Sequence, residues 1–433
     1  PPPPPPPDPL WSRGLGDVYK RQDRYRNNTI VANYGRKFSD KIKFESNLRV
    51  AETYSQYDKE VDTATADHSE ELDALQSSAN ISLVYEPNSQ FTNKFTLSNA
   101  YIERIAAETP NSGNILQDNY YGTRYGFMYS GNYNFNLDNG VVFGFEREDD
   151  KMGYDKNMTG RLDDHAYVTS TYFDYQSRFT NNIYGTLGSR FDEHKHAGNE
   201  DSHRATLAYL FDDKCTKLKS SYGTGFRFPS VYEIFYIDSK YDKLSSAENS
   251  KSFDFGIEKS FSNIGFDVDL TFFQHRYEDT IEGWKAAGWT PKNVAGTVTT
   301  KGIDLISNFK PKKDLNFNLQ YTYNNTYDGA DFDDPDMGPG SAGDFHSSQM
   351  VRVPRHLLNF GINYNILNNM SVNWKTKWSD TARDYGNGNE SNYTDVRLDS
   401  YLVNDFGLDF LYQNYRGYVS LSNVFDEKYS QAL

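Results

Sequence analysis

Long hydrophobic runs are missing from this sequence. Nothing approaches the roughly eighteen consecutive apolar residues that a membrane-spanning helix needs, and the longest apolar stretches, such as Val141 to Phe145, have only strand length. Cysteine is almost absent too, with Cys215 standing alone. One thiol excludes an internal disulfide, and with no base motif beside it the residue reads as packed or lipid-facing rather than nucleophilic. Positive charge is in deficit, with 45 Lys and Arg against 60 Asp and Glu and a net charge of -15. Such a chain repels phosphates, so no nucleic-acid partner is expected. The GxSxG, HExxH and phosphate-cradling glycine patterns do not occur, and no enzyme is expected.

Aromatic side chains are what the sequence has in excess. Its 34 Tyr and 29 Phe bring aromatics to 16% of 433 residues, in a chain whose mean hydropathy is only -0.79. A soluble chain this polar rarely carries so many rings. A membrane β-barrel does, because girdles at both bilayer interfaces need them while lumen and loops stay polar.

Period-two alternation accounts for much of the remainder. Ile264, Phe266, Val268, Leu270 and Phe272 share one face of a segment whose other face carries Asp267, Asp269 and Thr271. Leu315, Phe317, Leu319, Tyr321 and Tyr323 oppose Asn316, Asn318, Gln320 and Thr322, while Val372, Trp374 and Trp378 oppose Ser371, Asn373, Lys375 and Lys377. Successive strand side chains point to opposite faces, so each segment has one greasy and one wet side. A soluble sandwich alternates in the same way, but its strands run to about five or six residues. Here many segments reach about ten to fourteen, enough for a tilted strand to cross a bilayer.

The pattern predicts about eighteen strands, at 27–35, 41–54, 77–86, 92–104, 121–136, 139–149, 165–178, 182–192, 202–212, 214–223, 250–261, 264–278, 297–310, 315–328, 354–366, 370–380, 398–411 and 415–423. Tight turns built on Pro87-Asn88, Asp138-Asn139-Gly140, Asn181-Asn182, Asp212-Asp213, Asn263 and Asn368-Asn369 alternate with long polar connections. Those connections lie near 55–76, 105–120, 150–164, 193–201, 224–249, 279–296, 329–352 and 381–396. Short turns on one side and long loops on the other are the organisation of an outer-membrane barrel. The expected fold class is therefore all-β, a transmembrane antiparallel β-barrel in the bacterial outer membrane, with lipid as one partner.

Residues 1–22 fit neither a signal peptide nor a strand pattern and are expected to be a non-native, low-complexity segment, set aside from the fold. Residues 23–433 are expected to be a partial barrel whose last strand is missing, because a barrel with unpaired first and last strands would expose backbone to lipid.

Five segments give the barrel a family. Tyr222-Gly223-Thr224-Gly225-Phe226-Arg227-Phe228-Pro229-Ser230-Val231-Tyr232-Glu233-Ile234-Phe235 resembles the mid-barrel signature of TonB-dependent outer-membrane receptors. Glu248 to Asp254, Asn293-Val294-Ala295-Gly296 with Lys301-Gly302-Ile303-Asp304, Arg352-Val353-Pro354-Arg355-His356, and Asn423 to Tyr429 resemble later segments of that family, in family order. Vitamin B12 (cobalamin) receptors are the closest resemblance, by spacing and modest loops, and siderophore receptors the next. The resemblance implies a barrel of 22 strands, of which about eighteen are present, with a lumen large enough to require a plug. It implies an N-terminal plug domain and TonB box outside these residues, and import of a scarce, bulky nutrient, cobalamin or a ferric siderophore, driven through TonB. A passive porin is the alternative.

Aromatic residues of the external connections are the expected ligand contacts: Tyr232, Phe235, Tyr236, Trp284 and Trp289. No cofactor is required on this reading. The acidic connection 55–76, with Asp58, Asp62 and Asp67, has the oxygen-rich character that calcium takes, or is simply a solvated acidic loop; it lacks EF-hand spacing. His194 and His196 are expected in a short exposed loop without a third ligand. The glycines and Pro229 of the mid-barrel segment have a structural reading as well, easing a strand into a loop.

Overall fold

A computed structural model describes residues 24–57, 70–108, 116–156, 161–235, 246–282, 292–330, 350, 352–385 and 395–431. The proposed non-native segment 1–22 lies outside them. The described elements are β1 (Tyr25–Ser39), β2 (Ile42–Tyr57), β3 (Glu70–Asn88), β4 (Phe91–Glu108), β5 (Leu116–Asn134), β6 (Asn139–Lys156), β7 (Arg161–Arg178), β8 (Ile183–His194), β9 (Gly198–Leu210) and β10 (Thr216–Arg227). A short helix, α1 (Val231–Phe235), precedes β11 (Glu248–Phe261), β12 (Phe266–Glu282), β13 (Lys292–Lys312), β14 (Leu315–Ala330), β15 (His356–Leu367) and β16 (Met370–Ser379). β17 (Ala382–Tyr385), β18 (Asp395–Leu398), β19 (Tyr401–Tyr412) and β20 (Tyr415–Leu421) follow. Eighteen strands belong to antiparallel β-sheet, and β17 and β18 form a separate two-stranded hairpin. No helix among the described residues is long and apolar enough to cross a membrane.

The chain divides into two compact units, residues 1–131 with 144–169 and residues 132–143 with 170–433. In the first, β1 to β4 pair in chain order. Register places Phe44 beside Leu83 and Leu83 beside Phe95, with Ile81 beside Leu97 one step along the same face. The opposite face is wet: Asn80 Nδ2 donates to Asn47 Oδ1 at 2.8 Å, and Ser82 and Thr96 share a 3.0 Å hydrogen bond.

The second unit repeats the scheme. β8 to β16, then β19 and β20, pair each with the next. Its apolar face carries the rows Ile257–Leu270–Leu305 and Phe255–Phe272–Ile303. On the same face near the tight turns, Phe261, Phe266, Phe309, Phe317 and Phe360 form a continuous ring-to-ring belt with centroids 5.9 to 6.4 Å apart. This is an interfacial aromatic girdle. The polar face carries Lys219 between Asp269 and Glu258, at 2.5 and 3.0 Å, and Thr322 hydrogen-bonded to Asp304 at 2.6 Å.

Exposure decides what the greasy side meets. Ile81 and Leu97 are 50% and 59% exposed, and Phe255, Leu270 and Phe272 are 48%, 43% and 41% exposed. The buried apolar residues include none of these rows; they are positions such as Ala51, Ala166, Ile234 and Ala247. Each large side chain left in water forfeits about 1.5–3 kcal/mol. Dozens of them cannot face water in a stable protein, and hydrocarbon removes the penalty. The apolar face is a lipid face.

The turns form as their residues predict. Asn88 Oδ1 accepts the Gln90 and Phe91 N–H groups at 2.9 and 3.0 Å, and Asn136 Oδ1 accepts Asp138 N–H at 2.8 Å. Gly265 adopts φ +67°, and a Cβ there would sit 2.3 Å from the Lys310 carbonyl oxygen, so the β11–β12 turn requires glycine. In the β9–β10 turn, Asp213 accepts the Lys259 ammonium at 2.7 Å, the Cys215 and Thr216 N–H groups at 2.8 Å, and the Thr216 hydroxyl at 2.7 Å. Lys259 foremost, then these donors, holds the Asp213 carboxyl well below the usual carboxylate range. Its stabilising contribution is therefore present above the ordinary aspartate value of about 3.9 and fades as pH falls below it. Asp213→Asn keeps the turn acceptor and loses the charge. The variant is expected to unfold at lower urea than wild type at pH 7, with the gap narrowing at pH 2.5; a gap independent of pH would remove the charge from the account.

Four boundaries differ from the sequence reading. The connection at 193–201 is no long loop: β8 and β9 pair up to His194 opposite Gly198, and Gly198 at φ +80° lets the chain reverse within three residues. The connection at 381–396 contains the β17–β18 hairpin, and Leu398 closes that hairpin rather than opening β19. The strand expected from 354 begins at His356, because Pro354 cannot donate to a ladder and Arg352 sits at φ +60°. Finally, most strands run several residues beyond their apolar pattern toward the long connections, as β6 does to Lys156 and β12 to Glu282.

Candidate functional site

The ends of β10 to β13 farthest from the tight turns are held by one ionic clasp. Arg227, the last residue of β10, makes a fork to Glu248 at the start of β11, with Nε to Oε2 at 2.7 Å and Nη2 to Oε1 at 3.0 Å. The same guanidinium reaches Glu233 of α1, with Nη1 to Oε2 at 3.0 Å. Glu248 Oε1 also accepts the Ile281 N–H of β12 at 2.5 Å. That N–H is free to do so because β12 bulges between Glu278 and Thr280, with Asp279 at φ +55°. Asn293 of β13 completes the arrangement, its amide donating to the Asp279 carbonyl at 2.8 Å and the Ser246 carbonyl at 3.3 Å.

Helix α1 has five residues and would not persist alone. A capping box starts it: Ser230 N–H donates to Glu233 Oε2 at 2.7 Å, and Glu233 N–H donates to Ser230 Oγ at 3.2 Å. Val231 and Ile234 are buried beneath it, the latter to 2% exposure. Three segments singled out by resemblance, around Arg227, Glu248 and Asn293, thus meet at one point: Arg227 and Glu248 bind each other through their side chains, and the Asn293 amide ties the backbone carbonyls of Ser246 and Asp279 beside them.

Of the expected contact residues, Tyr232 lies on α1, half-buried, and Phe235 is the last residue of the helix. Tyr236, Trp284 and Trp289 lie outside the described residues. The stretch with both tryptophans joins Glu282 to Lys292, which face each other in the β12–β13 register immediately above Ile281 and Asn293. Asp58, Asp62 and Asp67 also lie outside the described residues, between Tyr57 and Glu70, which pair across β2 and β3. Among the described residues no group of three or more His, Cys, Asp and Glu side chains is placed to hold a metal ion.

Other clusters on the polar face were not foreseen. In the first unit Tyr120 and Tyr154 stack at 4.8 Å, with the Arg104 guanidinium 5.8 Å from the Tyr120 centroid. Arg124 forks onto Asp150 at 2.6 and 2.8 Å nearby. In the second unit buried Asp192 accepts Ser170 Oγ at 2.5 Å and Arg190 Nε at 3.0 Å. His194 is not an exposed loop residue: it is 5% exposed, its ring packs at a tilt against Phe228 with centroids 4.8 Å apart, and its Nδ1 accepts the His196 and Ala197 N–H groups. The reversal at Gly198 folds it inward. Extending strand parity past the apolar stretch would have placed these residues on the wet face.

A lipid face with an aromatic girdle, a hydrated face, and short turns opposite longer connections define a bacterial outer-membrane β-barrel. Residues 4–424 match the family model described as TonB dependent receptor-like, beta-barrel. The chain belongs to that family of outer-membrane transport receptors. Solved structures share the fold at low identity. The siderophore receptor PiuA from Acinetobacter baumannii superposes with a TM-score of 0.72 at 14% identity, over 95% of this chain and 72% of that one. A mutant of the ferric enterobactin receptor PfeA from Pseudomonas aeruginosa gives 0.74 at 15%, over 94% and 65%. The copper transporter OprC gives 0.73 at 12%, over 94% and 69%. No match was found among curated protein sequences.

Proposed function

We propose that this chain forms the wall and binding mouth of a receptor importing a scarce, bulky nutrient, a ferric siderophore or cobalamin, with energy delivered through TonB acting on a plug domain elsewhere in the receptor. The clasp carries the reading. It gathers β10 to β13 at the mouth, orients the helix bearing Tyr232 and Phe235, and anchors both ends of the stretch bearing Trp284 and Trp289. Rigid aromatics on short, fixed supports offer contact area at low entropic cost. Tyr236 belongs to the same proposed surface. Of the two ligand classes the ferric chelate is favoured, since the neighbours' names speak of siderophores and ferric enterobactin. Calcium held by Asp58, Asp62 and Asp67 would order the acidic connection.

Ferric catecholate, ferric hydroxamate and cyanocobalamin titrated into the detergent-solubilised chain would test the reading by tryptophan fluorescence. One iron chelate is expected to quench saturably where its iron-free form does not, and Tyr232→Ala with Trp284→Ala is expected to weaken it at least tenfold. Binding of cyanocobalamin alone would reverse the ranking, and no saturable binding by any would sink the proposal.

A further inference from the structure

The lipid face of the second unit is apolar from the phenylalanine belt upward, and then it changes sign. On β12, Phe266, Val268, Leu270 and Phe272 are followed on the same face by Gln274 and Arg276. Lys251 of β11 stands directly opposite Arg276, and Lys301 of β13 directly opposite Gln274. Three cations on three adjacent strands therefore share one patch of the face that meets lipid.

Height and charge say what the patch meets. Arg276 is ten residues beyond Phe266 along β12; at a rise of about 3.3 Å per residue and a tilt of about 40°, that is about 25 Å, the height of a barrel's apolar band. The patch begins where hydrocarbon ends, on the side away from the tight turns. Tyr222 and Tyr327, 47% and 50% exposed, flank it at the same level. Glu278 is the carboxylate among these cations, 3.4 Å from Lys251 Nζ and 2.9 Å from Arg276 Nη2. Arg276 also donates to Thr297 Oγ1 at 3.2 Å. Lys301 is exposed and has no ion pair among the described residues. The patch thus keeps a surplus of two positive charges in a chain whose net charge is -15. The Lys251 and Arg276 side chains remain 54% and 50% exposed.

We infer that Lys251, Arg276 and Lys301 form a binding site for the phosphorylated headgroup of a lipid in the outer leaflet. The acyl chains lie along Phe253, Phe255, Phe272 and Ile303, continuous with the lipid face, while the headgroup phosphates sit against the ammonium and guanidinium groups. Arg276, pinned by Glu278 and Thr297, supplies a fixed fork for phosphate oxygens, and the two lysines supply mobile point charges. A basic patch near a membrane surface gains about fivefold in binding per cation, so the three together supply about a hundredfold.

The test measures lipid A, a phosphorylated glycolipid, binding to the detergent-solubilised full chain by native mass spectrometry. Wild type is expected to retain it, and the triple variant Lys251→Gln, Arg276→Gln, Lys301→Gln to bind about a hundredfold more weakly. A control triple at the tight-turn end, Lys310→Gln, Lys312→Gln, Lys313→Gln, should bind as wild type does. If the first triple variant does not fold, the single substitutions carry the test, each expected to cost about fivefold. Undiminished affinity in the patch variants overturns the inference, as does equal binding of fully dephosphorylated lipid A. Displacement of lipid A by millimolar inorganic phosphate would also overturn it, by making the patch a site for free anions.

Discussion

Arginine in place of Leu270 is expected to cost the protein about 2–4 kcal/mol of stability in a bilayer, the penalty for a cation at the midplane of a barrel's lipid face. Leu270 lies between the Phe266 belt and Arg276 on β12, beside Ile257 and Leu305, and is 43% exposed on the face that meets hydrocarbon. Gln320→Arg is its counterpart. Gln320 is exposed on the opposite face of β14 at the same level, one residue from the Tyr321 that pairs with Leu305. Water is available there, so the change should stay within about 0.5 kcal/mol. Denaturant unfolding of both variants refolded into vesicles measures the contrast. Equal losses would mean that the two faces of these strands meet the same solvent, and the membrane assignment would go with them.

The contrast follows a pattern that is legible in the sequence itself. Alternation such as Ile264–Phe272 identified the strand cores, and the Asn and Asp turns identified one end of each hairpin, because both signals are local. The strand ends were not legible. Beyond the bilayer both faces of a strand meet water, so the apolar alternation of β6 stops near Phe145 while its pairing continues to Lys156. The hairpin of β17 and β18 was hidden for a related reason. It is latched from a distance, by Arg352 Nε on the fully buried Asp384 at 2.7 Å and Arg352 N–H on the Arg383 carbonyl at 2.7 Å, and no local pattern announces such a contact.

The site divides along the same line. Tyr232 was named from a recognisable segment, and the structure places it on α1, half-buried. Tyr120 with Tyr154, and Asp192 with Ser170 and Arg190, were missed because each cluster joins residues of different strands through register. The mid-barrel segment also fixes more of the structure than a loop-easing role for Gly223, Gly225 and Pro229 suggested. Its Arg227 and Glu233 are a fastener, whose partner Glu248 lies 21 residues further along the chain.

Removing that fastener tests whether it shapes the mouth. Arg227→Ala leaves Glu233 and Glu248, 15% and 22% exposed, facing each other without a cation, and leaves the capping box of α1 to hold the helix alone. A fully buried pair broken this way loses about 3–5 kcal/mol, but the Arg227 side chain is 45% exposed, so about 2 kcal/mol is expected. Arg227→Lys should recover only part of it, since an ammonium cannot fork onto Glu248 while also meeting Glu233. In a Glu248→Ala background the same Arg227→Ala change should cost less than about 1 kcal/mol, because the two side chains act as a unit. Fully additive losses would show that the contact is idle. Ligand titration of Arg227→Lys separates the two roles: weakened binding with near-normal unfolding means that the clasp sets the helix that carries Tyr232, whereas parallel loss of both means that it only holds the strand ends together.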